Sequence, residues 1–369
     1  MADGPLKRRI LDGVLVVVSL TLTFAVLEIG FRLFWDGYYF RAPRENIQFH
    51  PKLGWANKPS IRLEYGKAEY RVIVEHNSMG LRSPEVPERK PPDKVRTLVL
   101  GDSMTYGLGV ENDETYSARL EQFHPDLEVI NGGVPAYSTG EELLFLQELG
   151  FDLSPDIVLI GFFWNDLGEA PRGRHARFSL ENGTLTVHVP DTPPLDTRLS
   201  EPKQRRHPLL SRSYTYRFVS DRIKIARYIL REKFGLWVRE AGVLDEDAAE
   251  AAWDLVLALL REIVRVSVEH GAKPLIAVIP DQVQVKPDVR IVGLDPILFT
   301  VQERLLEFGR EAGVPVIDLL PGFQEIYARE GEPLYYRFDR HLTPAGHRAA
   351  AHLIGRELER LGLAGSRRE

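Results

Sequence analysis

Five short, unbroken apolar runs decide what this chain can fold into: RTLVLG (96–101), LEVING (127–132), DIVLIGFFW (156–164), PLIAVIP (274–280) and VPVIDL (314–319). A strand with one face in water alternates polar and apolar residues. These runs do not, so each reads as a strand covered on both faces. Helical periodicity fills the gaps, at about 113–123, 139–150, 247–270 and 296–312. Strands alternating with helices predict a parallel sheet sandwiched between helices, an α/β fold. A last helix opens at Thr343, a good N-cap, with Pro344 suited to the first helical position.

In such a sheet, ligands bind beyond the carboxyl ends of the strands. The first run, TLVLGDSMTYGLG (97–109), delivers Asp102 and Ser103 there; the second delivers NGGVPAYST (131–139); the third delivers Asn165 and Asp166. After the last run comes FDRHLTPAGH (338–347), with Asp339 and His341. Alone, Ser103 reads as a helix cap, Asn165-Asp166 as a turn and Asp339 as a surface charge. Together they are the parts of acyl transfer: a hydroxyl nucleophile, an imidazole base, a carboxylate to orient it, and donors for an oxyanion. The Ser103 N–H, an N–H from the Val134–Tyr137 loop and the Asn165 amide would supply those donors. Asp339 lies two residues before His341, and in an extended segment residues i and i+2 share a side.

Other chemistries lack their residues. The chain has no cysteine, which excludes disulfides, thiolate zinc sites, cysteine nucleophiles and a lipidated cysteine. No spaced ligand set suggests a metal. The formal charge of −6 does not suggest a nucleic-acid partner. His124, His175, His207 and His270 have no supporting constellation, His347 and His352 on the last helix read as surface or core partners, and RGRHAR (172–177) and KQRRH (203–207) read as solvated basic clusters.

The stretch ILDGVLVVVSLTLTFAVLEIGFRLFW (10–35) is almost wholly apolar. As a helix it would span roughly 39 Å, against about 30 Å for a bilayer core. Lys7, Arg8 and Arg9 before it favour a cytoplasmic N-terminus, and no small-x-small cleavage site follows. The expected organisation is a tail (1–9), an uncleaved signal anchor (10–35), a juxtamembrane stalk folded onto the main domain (36–93), and the α/β domain (94–369) with an insertion at about 170–245. That insertion holds a hairpin signal at Asn182-Gly183 and an amphipathic helix near 208–235.

LGDSMTYGLGV (100–110), VINGGVPAYST (129–139), WND (164–166) and DRHLTPAGH (339–347) resemble, in order, four sequence blocks of the SGNH hydrolases, also called GDSL esterases/lipases. The resemblance implies a flavodoxin-like three-layer α/β/α sandwich and a Ser–His–Asp triad acting on acyl esters without a cofactor. Carried over, Ser103 is the nucleophile, His341 the base, Asp339 its partner and Asn165 an oxyanion donor. The oxyanion glycine of the second block falls at Ala136, with Gly133 as the alternative. Phe163 stands where a glycine is usual, and the Asp–His spacing is two where three is common. HPKLGW (50–55) and NSMGLRSPE (77–85) resemble the leader of membrane-anchored bacterial members. The expectation is a single-pass inner-membrane esterase with its site on the extracytoplasmic side, acting on acyl or O-acetyl esters of glycan, cell-wall or lipid substrates. An acyltransferase with a sugar hydroxyl acceptor and a non-catalytic binding or assembly protein are the alternatives.

Overall fold

The computed structural model describes residues 5–35, 40–41, 46–67, 69–173, 175–190, 212–234, 246–286 and 297–365. The N-terminal apolar stretch has no helix breaker strong enough to interrupt it and forms one helix, α1 (Pro5–Phe34). It is long and apolar enough to cross a membrane, and its apolar side chains lie exposed. Antiparallel strands follow. The short β1 (Phe40–Arg41) edges the hairpin of β4 (Ile61–Lys67) and β5 (Tyr70–His76), while β2 (Ile47–His50) pairs with β3 (Gly54–Asn57). Only β5 is signalled by sequence alternation. The segment is nonetheless built into the domain. Leu53, Trp55 and Leu81 join its main core. Trp55 Nε1 donates to the Pro135 carbonyl (3.0 Å) and Asn57 Nδ2 to that of Gly133 (3.0 Å). The buried Arg82 guanidinium donates to the carbonyls of Tyr106, Gly107 and Val110.

The five apolar runs become β6 (Val95–Gly101), β7 (Leu127–Asn131), β8 (Ile157–Phe162), β11 (Lys273–Val278) and β12 (Val316–Asp318), with a two-stranded hairpin inserted between the third and fourth. They pair in parallel in the order β12-β11-β8-β6-β7. That is the flavodoxin-like order, with its switch point at the carboxyl end of β6. Neighbouring residues of each strand serve opposite cores. Leu98, Leu100, Val158, Ile160, Ile276 and Val278 pack beneath α4 (Thr139–Phe145), α7 (Glu246–Glu269) and α9 (Ile297–Ala312). Val99, Leu159, Leu275 and Ala277 pack beneath α3 (Tyr116–Phe123), α10 (Leu320–Glu330) and α11 (Pro344–Arg360). Burying each such side chain contributes about 1.5–3 kcal/mol, and both faces are filled. The fold is the expected three-layer α/β/α sandwich with a central parallel sheet.

Element ends differ where local hydrogen bonding decides them. The helix expected from 113 starts at Tyr116, because the Thr115 hydroxyl accepts from the Ala118 N–H (3.2 Å) and the preceding residues form a 3₁₀ turn. α10 was not signalled, since Pro321 and Gly322 at its start mask its periodicity. α11 begins as read, with Thr343 Oγ1 accepting from the Gly346 N–H. In the insertion, Asn182 (φ +52°) and Gly183 (φ +78°) turn β9 (Arg177–Glu181) into β10 (Thr184–His188). The amphipathic helix appears as α6 (Tyr214–Phe234). Its expected start, the KQRRH cluster and His207 lie outside the described residues.

His76 Nδ1–H donates to the Lys58 carbonyl (2.9 Å), and the Tyr106 hydroxyl donates to its Nε2 (2.8 Å). Burial pushes its pKa down to about 4, against the opposing Lys58 hydrogen bond. Between the ordinary histidine value and about 4, only the unfolded chain holds the proton. The contribution is therefore full above the ordinary value and lost as pH falls through this window. Denaturant unfolding of the wild type at pH 7 and pH 4, set against His76→Gln, should show an extra acid loss on the order of 3 kcal/mol in the wild type. Equal losses in the two proteins would contradict a buried neutral imidazole.

Candidate active site

β6 ends at Gly101, and the chain turns directly into the one-turn helix α2 (Ser103–Tyr106). Asp102 is its N-cap; its carboxylate accepts from the Met104 N–H (2.7 Å). Ser103 is therefore not the capping residue. It occupies the first helical position, half-buried, with its hydroxyl free to point across the rim. That hydroxyl donates to His341 Nε2 (2.8 Å), and His341 Nδ1–H donates to Asp339 Oδ2 (3.0 Å). Residues 238 positions apart thus meet at the carboxyl end of β6.

The route by which Asp339 and His341 come together differs from the extended segment expected. Residues 337–339 form a turn and Arg340 lies in the left-handed region (φ +66°). The Arg340 N–H donates to the Tyr336 carbonyl (3.0 Å) and the Tyr336 N–H to that of His341 (2.9 Å). Arg340 also forms a paired contact with both oxygens of the buried Asp281 (2.9 and 2.8 Å), which accepts from Trp164 Nε1 as well (2.9 Å). A left-handed arginine costs on the order of 1–2 kcal/mol, which this ion pair helps to offset. The turn explains how a spacing of two delivers carboxylate and imidazole to one another.

Three residues of the β4–β5 hairpin complete the arrangement, and none was signalled by the sequence. Lys67 Nζ pairs with Asp339 Oδ1, and the Tyr70 hydroxyl donates to Asp339 Oδ2 (2.7 Å). The Glu69 carboxylate accepts from the N–H groups of Arg337 (2.7 Å), Phe338 (2.7 Å) and Asp339 (2.9 Å). Burial alone would raise the Asp339 carboxyl. The His341 hydrogen bond and charge, with the Lys67 charge, outweigh it and hold Asp339 well below the ordinary carboxylate range. Asp339 is thus an anion at every pH where the protein would work.

The donors on the other side of Ser103 are also in place. Ala136 sits at φ +68°, a left-handed position that usually selects glycine. Neither its N–H nor that of Ser103 has a protein acceptor among the described residues. The Gly133 N–H, the alternative read from the sequence, is already given to Asn131 Oδ1 (3.0 Å). A Cβ there would lie 2.4 Å from the Tyr106 nitrogen, so glycine is required for packing. Asn165 Nδ2 donates one hydrogen to Asp102 Oδ2 (2.9 Å), leaving the other for a ligand. Behind it lie the buried carboxyls of Glu142 and Asp166; burial raises both, helped by the charge of Asp102 on each, of Glu141 on Glu142 and of Glu142 on Asp166. Phe163, in the place of the usual glycine, packs half-buried against the core beside Trp164 (6.2 Å between rings).

Four further histidines have structural partners. His347 Nδ1 accepts from the Tyr116 N–H (3.1 Å), His175 Nε2 donates to the Pro51 carbonyl (2.8 Å), His124 Nδ1 to that of Gly365 (3.0 Å), and His270 stacks on Phe151 (3.7 Å). No cluster of three or more metal-ligating side chains occurs among the described residues.

Glu69→Ala should strand three backbone donors and destabilise the fold by about 1–3 kcal/mol, with Glu69→Gln costing less because one acceptor survives. Chemical denaturation of both variants checks this. Equal, negligible costs would mean the 337–339 turn holds without the carboxylate.

The model of the GDSL-like lipase/acylhydrolase family matches residues 99–349. Among solved structures, the chain is similar to the acetyl xylan esterase AlAXEase (12% identity, 72% of this chain and 100% of that one, TM-score 0.42). It is also similar to TesA (14%, 72% and 99%, 0.41) and to a GDSL-like lipase from Bacteroides thetaiotaomicron (12%, 74% and 92%, 0.36). No curated protein matches. With the family model spanning most of the α/β domain, the chain belongs to the GDSL-like lipase/acylhydrolase family and is a serine hydrolase acting on esters.

Proposed function

We propose that the chain is a membrane-anchored esterase in which Ser103 attacks an acyl carbonyl and forms an acyl-enzyme. One observation carries this reading: His341 lies between the Ser103 hydroxyl at 2.8 Å and the Asp339 carboxylate at 3.0 Å. The roles follow. His341 Nε2 takes the Ser103 proton as Oγ bonds to the carbonyl carbon. Asp339, kept ionised by its hydrogen bond with His341 and by the Lys67 charge, fixes the tautomer with hydrogen on Nδ1 and stabilises the imidazolium. The carbonyl oxygen gains negative charge, and the Ser103 N–H, the Ala136 N–H and Asn165 Nδ2 receive it. The imidazolium then protonates the leaving alkoxide. Water, deprotonated by His341, attacks the acyl-enzyme and regenerates Ser103.

Asp102 does two supporting things. Its Oδ1 caps α2, setting the Ser103 backbone, and its Oδ2 orients the Asn165 amide. The nucleophile and one oxyanion donor are therefore aligned by the same buried carboxylate.

Location and substrate rest on α1 and the family. The charges of Lys7, Arg8 and Arg9 favour insertion with the domain on the extracytoplasmic side of a bacterial inner membrane. Acyl or O-acetyl esters of glycan, cell-wall polymer or lipid are the substrates within reach there.

Ser103→Ala should abolish turnover of short-chain p-nitrophenyl esters while circular dichroism stays unchanged; retained turnover would remove the nucleophile assignment. Asn165→Ala should lower kcat roughly 10²–10³-fold with little change in KM. A loss confined to KM would make Asn165 a ground-state contact only.

A further inference from the structure

α6 carries three surface arcs. The first docks on α1. Phe218 stacks on Phe31 (4.4 Å) and meets Trp35 edge-on (5.4 Å). The Glu28 carboxylate accepts from the Ser213 hydroxyl (2.8 Å) and from the N–H groups of Tyr214 (2.9 Å) and Thr215 (3.0 Å), so a residue of α1 caps the start of α6. The second arc is apolar and open. Tyr216, Val219, Ile223 and Leu230 are 42–51% exposed, with exposed Ala226 between them. Their spacing of 3, 4, 3 and 4 places all five on one line of the helix. The third arc is basic: Arg217, Lys224 and Arg227 run along its flank, with Lys224 also reaching Asp221 (3.4 Å). A soluble helix seldom aligns four large apolar side chains toward water.

The position of α6 along α1 says what covers that line. At 1.5 Å per residue, Glu28 stands roughly 30 Å above Arg8, about one hydrocarbon-core thickness. Phe31, Trp35, Tyr214 and Phe218 gather at this level, where amphipathic rings concentrate at a membrane boundary. Named contacts with α1 fall on residues 213–218; the open apolar line runs beyond them. A basic flank beside an apolar line matches an anionic lipid surface, with phosphates above and acyl chains below.

We infer that α6 lies on the outer leaflet as an interfacial helix. Tyr216, Val219, Ile223 and Leu230 enter the acyl boundary, and Arg217, Lys224 and Arg227 face the phosphates. The inference rests on α1 spanning the membrane. It gives the chain a second membrane contact beside α1.

The absence of cysteine makes the test direct. Single cysteines are placed in the full chain by Val18→Cys, Ile223→Cys and Glu325→Cys, labelled with bimane, and reconstituted into phosphatidylethanolamine/phosphatidylglycerol vesicles with brominated acyl chains. Ester turnover confirms that each labelled chain is folded. Emission should be lost at positions 18 and 223 and retained at 325. Loss at 18 with position 223 as bright as 325 would overturn the interfacial helix and leave the anchor standing. Full emission at 18 would overturn the anchor itself, and the interfacial helix with it.

Discussion

The hydrogen bond between Ser103 and His341 joins two ends of the domain, and most of the fold exists to hold it. The serine is fixed from below: β6 is buried on both faces, and Asp102 clamps the first turn of α2. The imidazole has no such foundation. It sits on a half-buried turn between β12 and α11, one residue after a left-handed arginine. Its position is imposed from outside, by Arg340 on Asp281 and by the tip of the β4–β5 hairpin on residues 337–339. The N-terminal segment thus braces the turn that carries the base.

That dependence changes what the segment before the sheet is for. Trp55, Asn57 and Arg82 bind the carbonyls of the loops that bear the oxyanion donors and the nucleophile, while Lys67, Glu69 and Tyr70 bind the loop that bears the base. One segment thus grips both halves of the site. The electrostatics agree. Asp339 remains ionised because the His341 hydrogen bond and the Lys67 ion pair outweigh its burial, whereas Glu142 and Asp166 have no cationic neighbour among the described residues to compensate and are pushed up.

The sheet and the four candidate site residues can be picked out because each is written locally. Buried strands announce themselves as unbroken apolar runs, and Ser103, Asn165, Asp339 and His341 each fall just past a strand or before a helix. Lys67, Glu69 and Tyr70 are not written that way. They lie on an ordinary hairpin, and their partner is some 270 residues away, a pairing that no local period or spacing encodes. Sequence reading puts Ala136 ahead of Gly133 as the oxyanion donor, but that the Gly133 N–H is already spent on Asn131 within the loop is a tertiary fact. The positive φ of Arg340 is another tertiary imposition, overriding what an arginine prefers by itself.

The most direct measurement is covalent. The protein is treated with a fluorophosphonate and digested, and the peptides are weighed. The account predicts a phosphonyl adduct on the peptide containing Ser103, and none in the His341→Ala protein, because without the imidazole the hydroxyl is not activated. An adduct on another residue, or labelling of Ser103 at the same rate when His341 is gone, would contradict it.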